Sequence, residues 1–111
     1  MNIQQEQHSE QQWLIRVAGR LDHELTPQLN TILNEHIEAG HYHLIVDLSQ
    51  TTYINSGGLR CLVSAWRKVR ENQGNLILCG LNSRLMNTFS MVGFDKVFQI
   101  ITDCNQLPDN S

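Results

Sequence analysis

Apolar and polar positions alternate near the amino terminus of the chain. Trp13, Ile15 and Val17 are separated by less apolar neighbours, which predicts a strand with one face more buried than the other. Residues 3–8 can pair with this strand as an edge strand across a short polar turn. Asp22 lies in the loop that we expect to follow.

A helix and a buried strand are predicted next. Thr26 and Pro27 indicate a helix start, because threonine can cap a helix and proline suits its first position. Apolar residues then recur at helical spacing as far as Gly40, a natural stop. Residues 44–48 are almost continuously apolar, as in a strand with both faces covered, and we expect a turn at residues 49–52.

The most amphipathic helix of the chain is predicted after residues 55–58. Its apolar positions lie on one stripe, made of Leu59, Leu62, Val63, Trp66 and Val69. A second buried strand is expected at residues 76–79. A short helix then begins at Asn82 and Ser83, and residues 97–101 form a last strand.

This order of elements, β-β-α-β-α-β-α-β, predicts an α/β fold. Alternating strands and helices give a mostly parallel central sheet with right-handed crossovers. We expect the helices mainly on one face of the sheet and a more open opposite face. Residues 1–111 are expected to form one domain, and Pro108 predicts that the tail adds no more than a turn of helix.

Composition narrows the classes of function. Hydrophobic residues make up 41% of the chain, which is enough for one core, and the net charge is -3. A nucleic-acid-binding domain normally carries a basic face, so we expect no nucleic-acid partner. No apolar stretch approaches the roughly 20 residues of a membrane span. The first residues also lack the pattern of a signal peptide, so we expect a cytoplasmic protein that does not act at a membrane.

The cysteines, Cys61, Cys79 and Cys104, are odd in number and far apart. They form no CxxC pair and no framework of disulfides. Free thiols in a reducing cytosol are therefore the expectation.

The segment Asn55-Ser56-Gly57-Gly58 stands where a strand gives way to the amphipathic helix. A hydroxyl there can cap the first turn of the helix, which is the plain structural interpretation. Two adjacent glycines cost about 1 kcal/mol each relative to alanine, so either a close neighbour or a docking partner must require bare backbone. The functional hypothesis is phosphorylation of Ser56, because a helix N-terminus tolerates negative charge and a partner would have to desolvate the phosphate.

With these elements in order, the chain resembles the bacterial anti-sigma factor antagonists, the single-domain form of the STAS fold. Residues 54–59 look like the family's Asp-Ser-Ser/Thr-Gly-Leu signature, and residues 19–23 look like its Gly-x-Leu-Asp. Residues 44–48, 74–80 and 89–94 are similar to its other units, so the resemblance covers almost the whole chain. It implies a STAS-type fold, with the C-terminal helix short or absent.

The resemblance also implies a partner and a switch. In such proteins the first serine of the signature, Ser56 by position, is phosphorylated by an anti-sigma factor that is also a GHKL-type serine kinase. The unphosphorylated form binds this kinase and frees a sigma factor, and a PP2C-type phosphatase reverses the modification. The expected partner-binding residues are Asp22, His23, Asn55, Gly57, Gly58 and Arg60.

Two departures from the signature keep a second hypothesis open. Asn55 stands where the family has Asp, and Gly57 stands where it has a second Ser or Thr. The alternative is a constitutive STAS interaction module that docks on a kinase, phosphatase or sensor complex without being phosphorylated. The exposed basic side chains of the Ser56 helix, including Arg60, are either solvated or form a rim that contacts an acidic partner.

Enzymatic and metal-binding interpretations are weaker. A catalytic Ser56 would need a nearby base, but His41 and His43 precede the strand that Ser56 follows. His23 could approach the correct edge, yet no third orienting group is evident. His36, His41 and His43 fit no standard metal-site spacing, so we expect a solvated surface there and no metal, cofactor or catalytic activity.

Overall fold

A computed structural model describes residues 2–107 and has the predicted order of elements. The strands are β1 (Ile3–Gln7), β2 (Trp13–Leu21), β3 (His43–Ile54), β4 (Asn75–Cys79) and β5 (Gln99–Ile101). The helices are α1 (Leu25–Glu38), α2 (Ser56–Glu71) and α3 (Ser83–Met91). Single 3-10 turns follow at Phe94–Lys96 and Cys104–Gln106. Pro108 lies outside the described residues.

The strands form one five-stranded sheet in the order β1-β2-β3-β4-β5. β1 pairs with β2 antiparallel, and every later pair is parallel. Each parallel pair is joined through a helix, as a crossover connection requires. The expectation of a mostly parallel α/β sheet is confirmed.

The three helices cover one face of the sheet and bury the main core there. Alternate residues of each strand face the helices, as the pleat of a strand requires. From β2, β3 and β4 these are Ile15, Val17, Leu44, Val46, Leu48, Leu76 and Leu78. The predicted stripe of α2 packs on them through Leu59, Leu62 and Val69. The expected placement of the helices is therefore confirmed.

The opposite face of the sheet is covered by the C-terminal segment instead of a helix. A small cluster of Leu14, Ile45, Ile77 and Cys79 is buried there under Ile101, Cys104 and Leu107. Cys79 and Cys104 are joined by a disulfide bond. The expectation of three free thiols was wrong, because β5 returns the chain to the end of β4 and brings together two cysteines with a sequence separation of 25. Cys61 is the remaining free thiol and is buried.

β3 is longer than the sequence predicted. The expected turn at residues 49–52 continues the strand to Ile54, for 12 residues in all. Only Thr51 and Ile54 are buried in this extension, so it carries no continuous apolar run. Thr51 donates its hydroxyl to the carbonyl oxygen of Val17 at 2.9 Å, which ties the extension to β2.

No helix in the described part of the chain has the length and apolar character needed to cross a bilayer.

Candidate functional site

The candidate site lies where β2 and β3 end side by side. Leu21 and Ile54 are paired in register as the last residues of two parallel strands. The N–H of Asn55 donates to the carbonyl oxygen of Leu21 at 3.1 Å. Because parallel strands end at the same sheet edge, the loop after β2 and the start of α2 meet there, at the kind of edge where α/β proteins bind ligands and partners. The structure thus brings Asp22 and Asn55 to one edge.

Asn55, and not Ser56, caps α2. The Asn55 side-chain oxygen accepts a hydrogen bond from the N–H of Gly58 at 2.8 Å, and Asn55 has extended backbone. The expectation that the Ser56 hydroxyl caps this helix was wrong, because Ser56 is already the first helical residue. A side chain satisfies the free N–H groups from the position before the helix.

Ser56 is exposed, and its side chain does not cap the helix. It occupies the first turn of a 16-residue helix, and its hydroxyl has no hydrogen-bond partner within residues 2–107. The N–H groups of the first helical residues have no partner inside the helix. An anionic group on the Ser56 oxygen would therefore lie near backbone donors and the positive end of the helix dipole.

The two glycines of the site have different roles. A Cβ on Gly58 would come within 2.8 Å of Ile54 Cγ1 and 3.5 Å of Leu21 Cβ, so Gly58 is required for close packing. A Cβ on Gly57 would meet only Asn55 Oδ1 at 3.4 Å and Arg60 Nη2 at 3.9 Å. A close neighbour therefore explains Gly58. Gly57 leaves a half-exposed, bare stretch of backbone beside Ser56 and the Arg60 side chain.

Asp22 shapes the loop on the β2 side of the site. Its Oδ1 accepts hydrogen bonds from the N–H groups of Glu24 at 3.0 Å and Leu25 at 3.2 Å. The bonds from Leu25 and then Glu24 lower the pKa of the Asp22 carboxyl, so the group is charged at neutral pH. The predicted start of α1 at Thr26 and Pro27 was wrong, because Asp22 organises a start at Leu25.

His23 and Arg60 are exposed side chains at the margin of this edge. His23 Nε2 lies 3.8 Å from Glu24 Oε1, and both side chains face solvent. Sequence analysis missed a neighbouring pair, Arg20 and Tyr53, which occupy paired positions on β2 and β3. The Arg20 guanidinium lies 4.1 Å from the centre of the Tyr53 ring. Only the unpredicted extension of β3 brings them together.

His41 and His43 lie at the opposite end of the sheet from Ser56. His43 begins β3, and Ser56 follows the end of this 12-residue strand. His41 and His43 are therefore far from the Ser56 hydroxyl, as the sequence indicated.

The expectation of a solvated histidine surface was wrong for His36, which is buried. Its ring nitrogens lie 2.9 Å from His41 Nδ1 and 2.8 Å from Gln5 Oε1. Trp13 packs against His36 at 4.9 Å and stacks on His41 at 5.2 Å between ring centres. Burial, followed by the neighbouring His41, lowers the pKa of His36. This cluster joins α1 to β1 and β2 in a structural role.

Comparison with known proteins gives one consistent result. The family model of the STAS domain matches residues 2–107. The anti-sigma-B factor antagonist of Listeria monocytogenes is 31% identical over 86 residues, covering 78% of this chain and 75% of that protein.

Solved structures show the same fold. An anti-sigma factor antagonist from Mycobacterium paratuberculosis superposes with a TM-score of 0.83 at 20% identity, over 93% of this chain and 86% of that one. The Bacillus cell fate determinant SpoIIAA in its phosphorylated form superposes with a TM-score of 0.73 at 21% identity, over 90% of this chain and 91% of that one. The resemblance inferred from the sequence is confirmed.

Proposed function

The chain belongs to the STAS domain family, and from that premise we propose that it is an anti-sigma factor antagonist switched off by phosphorylation at Ser56. Its curated relatives carry the name of anti-sigma factor antagonists, which are regulatory proteins and not enzymes. The proposed partner is an anti-sigma factor that is also a GHKL-type serine kinase, and a PP2C-type phosphatase removes the phosphate. Such a regulator acts in the cytoplasm, where sigma factors meet RNA polymerase.

The observation that carries this proposal is that Asn55 caps α2 while the neighbouring Ser56 is exposed. Asn55 holds the helix start through Gly58, so the exposed Ser56 hydroxyl can be modified without removing a structural hydrogen bond. Asn55 stands where the family has an aspartate, and its neutral side-chain oxygen caps the helix by accepting from the N–H of Gly58. The absent second hydroxyl is replaced by Gly57, which leaves Ser56 as the acceptor.

Phosphorylation would act on the partner and not on the fold. A phosphate adds about 1.5 to 2 negative charges at neutral pH, and the helix N-terminus accommodates them favourably. A partner that covers this edge must desolvate the phosphate, and each 1.4 kcal/mol of penalty lowers affinity about tenfold. The surface proposed to be covered comprises Asp22, His23, Asn55, Gly57, Gly58 and Arg60.

The test uses a GHKL-type anti-sigma kinase from the same genome. We expect this kinase with ATP to add one phosphate, and we expect peptide mass spectrometry to place it on Ser56. Ser56→Ala should abolish the modification and keep binding. Ser56→Asp should weaken binding about tenfold or more by calorimetry.

The chain supplies a matched control in Ser83. Ser83 is also the exposed first residue of a helix, and Asn82 before it accepts from the N–H of Leu85 at 2.8 Å. Ser83→Asp therefore adds the same charge in the same local geometry at the start of α3, and we expect it to leave binding unchanged. Full binding by Ser56→Asp, with no phosphate found on Ser56, would refute the switch and support a constitutive interaction module.

A further inference from the structure

One row of side chains crosses the helix-free face of the sheet, which the C-terminal segment covers, and ends at the disulfide. Arg16, Asp47 and Cys79 are paired in register on β2, β3 and β4. Arg16 Nε lies 3.1 Å from Asp47 Oδ2, and the N–H of Ser49 donates to Asp47 Oδ1 at 2.9 Å. Burial acts to raise the pKa of Asp47, but these hydrogen bonds and the Arg16 charge outweigh it and keep the pKa low. A buried carboxylate therefore lies beside the Cys79 sulfur.

The disulfide is the covalent link between this face and the segment that covers it. The 3-10 turn of this segment is held by local hydrogen bonds. The N–H of Asn105 donates to Asp103 Oδ1 at 2.9 Å, and the N–H of Gln106 donates to the Asp103 carbonyl oxygen at 2.9 Å. Contact with the sheet comes through the side chains of Cys104 and Leu107. Two small apolar contacts hold a six-residue segment weakly, so the covalent link decides whether it stays in place.

We propose that Cys79 and Cys104 form a reversible redox-modification site, and that their oxidation state controls whether residues 102–107 cover the helix-free face of the sheet. The oxidant class is a hydroperoxide, and the reductant class is a low-molecular-weight or protein thiol. In a reducing compartment, which rests on the proposed function, disulfides of this kind are mostly transient or redox-sensing.

The accessibility of the two sulfurs sets the order of the steps. Cys79 is fully buried and Cys104 is half-buried, so the oxidant reaches Cys104 first. The Cys104 thiol releases its proton, and the thiolate attacks the terminal oxygen of the hydroperoxide and breaks the O–O bond. The products are a sulfenic acid on Cys104 and an alkoxide or hydroxide, which takes up the released proton to become an alcohol, or water when the oxidant is hydrogen peroxide. The Cys79 sulfur then displaces the hydroxyl from Cys104, the S–S bond forms, and the displaced oxygen leaves as water with the Cys79 proton.

Reduction begins at the same half-buried sulfur of Cys104. A thiolate attacks Cys104 and forms a mixed disulfide, and the Cys79 sulfur leaves and takes up a proton. A second thiol then attacks the mixed disulfide and releases the Cys104 thiol together with an oxidised reductant.

The third cysteine does not compete for this chemistry. Cys61 is buried in α2 against α1, and its sulfur lies 3.7 Å from Asn30 Oδ1. Burial raises the pKa of the Cys61 thiol to about 11, so it remains protonated and unreactive at neutral pH. Cys61 is therefore the matched control in the test.

A metal ion is the competing occupant of this place. One ligand atom from each of Asp47, Cys79 and Cys104 lies within 4.8 Å of the other two. Asp47 is already engaged by Arg16 and the N–H of Ser49, so it has little capacity left for a cation. The observed pairing of the two sulfurs favours the disulfide over metal binding.

The experiment uses the full chain after reduction by dithiothreitol and after oxidation by hydrogen peroxide. Peptide mass mapping should find Cys79 linked to Cys104 only in the oxidised sample, with Cys61 free in both. Amide hydrogen exchange of residues 102–107 should rise about tenfold or more on reduction, because the disulfide links positions with a sequence separation of 25 and ties this segment to the sheet.

Two variants separate the site from general effects of the reagents. Cys61→Ser should respond to both reagents as the wild type does. Cys104→Ser should show the fast exchange under either condition, while thermal unfolding checks that it folds. Unchanged exchange between the two states overturns the proposal, and so does zinc uptake by the reduced chain that protects both cysteines from alkylation. Neither readout involves Ser56 or a partner, so its failure is distinct from failure of the phosphorylation switch.

Discussion

Replacing Asn55 by alanine tests the capping role on which the site depends. The side-chain oxygen of Asn55 accepts from the N–H of Gly58 at 2.8 Å, and Gly58 is buried. Loss of an N-cap costs about 1 kcal/mol, within a range of roughly 0.5–2 kcal/mol. A buried N–H left without a partner places the value at the upper end. We therefore expect Asn55→Ala to lower the free energy of unfolding by about 2 kcal/mol.

For a chain of this size that loss corresponds to a Tm lower by about 8 °C. Urea unfolding followed by circular dichroism measures the free energy, and thermal unfolding measures the Tm. Asn82→Ala removes the same kind of cap from α3 and should cost a similar amount, since its bond to the N–H of Leu85 is also 2.8 Å. Asn87→Ala, an exposed change inside α3, should not destabilise the chain because alanine favours the helix.

Asn55→Asp separates the capping oxygen from the amide group. The aspartate oxygen can accept the same hydrogen bond. Its negative charge at a helix N-terminus also stabilises the folded chain by about 0.3–1 kcal/mol. We expect this variant to be as stable as the wild type or slightly more stable. If Asn55→Asp is destabilised as much as Asn55→Ala, or if Asn55→Ala keeps the wild-type Tm, the capping argument is wrong.

Two further predictions use the same unfolding assays. Gly58→Ala should destabilise the chain by about 1–3 kcal/mol, because its Cβ would come within 2.8 Å of Ile54. Gly57→Ala should be neutral or should stabilise the chain by up to about 1 kcal/mol. Equal effects of the two substitutions would contradict the packing argument. The pKa of His36 in the folded chain is lower than the usual value of 6.5. As the pH falls below 6.5, the unfolded chain therefore binds a proton at this residue more readily than the folded chain does. The free energy of unfolding declines from that pH down to the folded-state pKa of His36. His36→Gln should flatten the decline in Tm over this range, and the exposed His8→Gln should not; a wild-type slope in His36→Gln would refute the assignment.

Local patterns predicted most elements of the fold. Alternation around Ile15, the apolar run at residues 44–48 and the stripe from Leu59 to Val69 all lie in the elements that they indicated. The start of α3 at Asn82 and Ser83 was also predicted correctly. These patterns succeed because a strand and a helix repeat every two and about 3.6 residues, so burial of one face is recorded in the order of the residues.

The candidate site was predicted in place but not in detail. Residues 55–58 do begin α2, and the family signature pointed to Ser56. Which of two neighbouring side chains caps the helix depends on the backbone angles at Asn55, which are extended. Both residues are good caps, so propensity alone could not separate them.

The sequence by itself determined the α/β order and the position of Ser56, because each depends on contacts or repeats within a short stretch of chain. The tertiary structure alone decided the extension of β3, the burial of His36 and the pairing of Cys79 with Cys104. Each of these depends on partners distant in the chain: Val17 for Thr51, Gln5 for His36, and the return of β5 for the two cysteines. Such contacts leave no periodic trace in the sequence, because their geometry exists only after the sheet has formed.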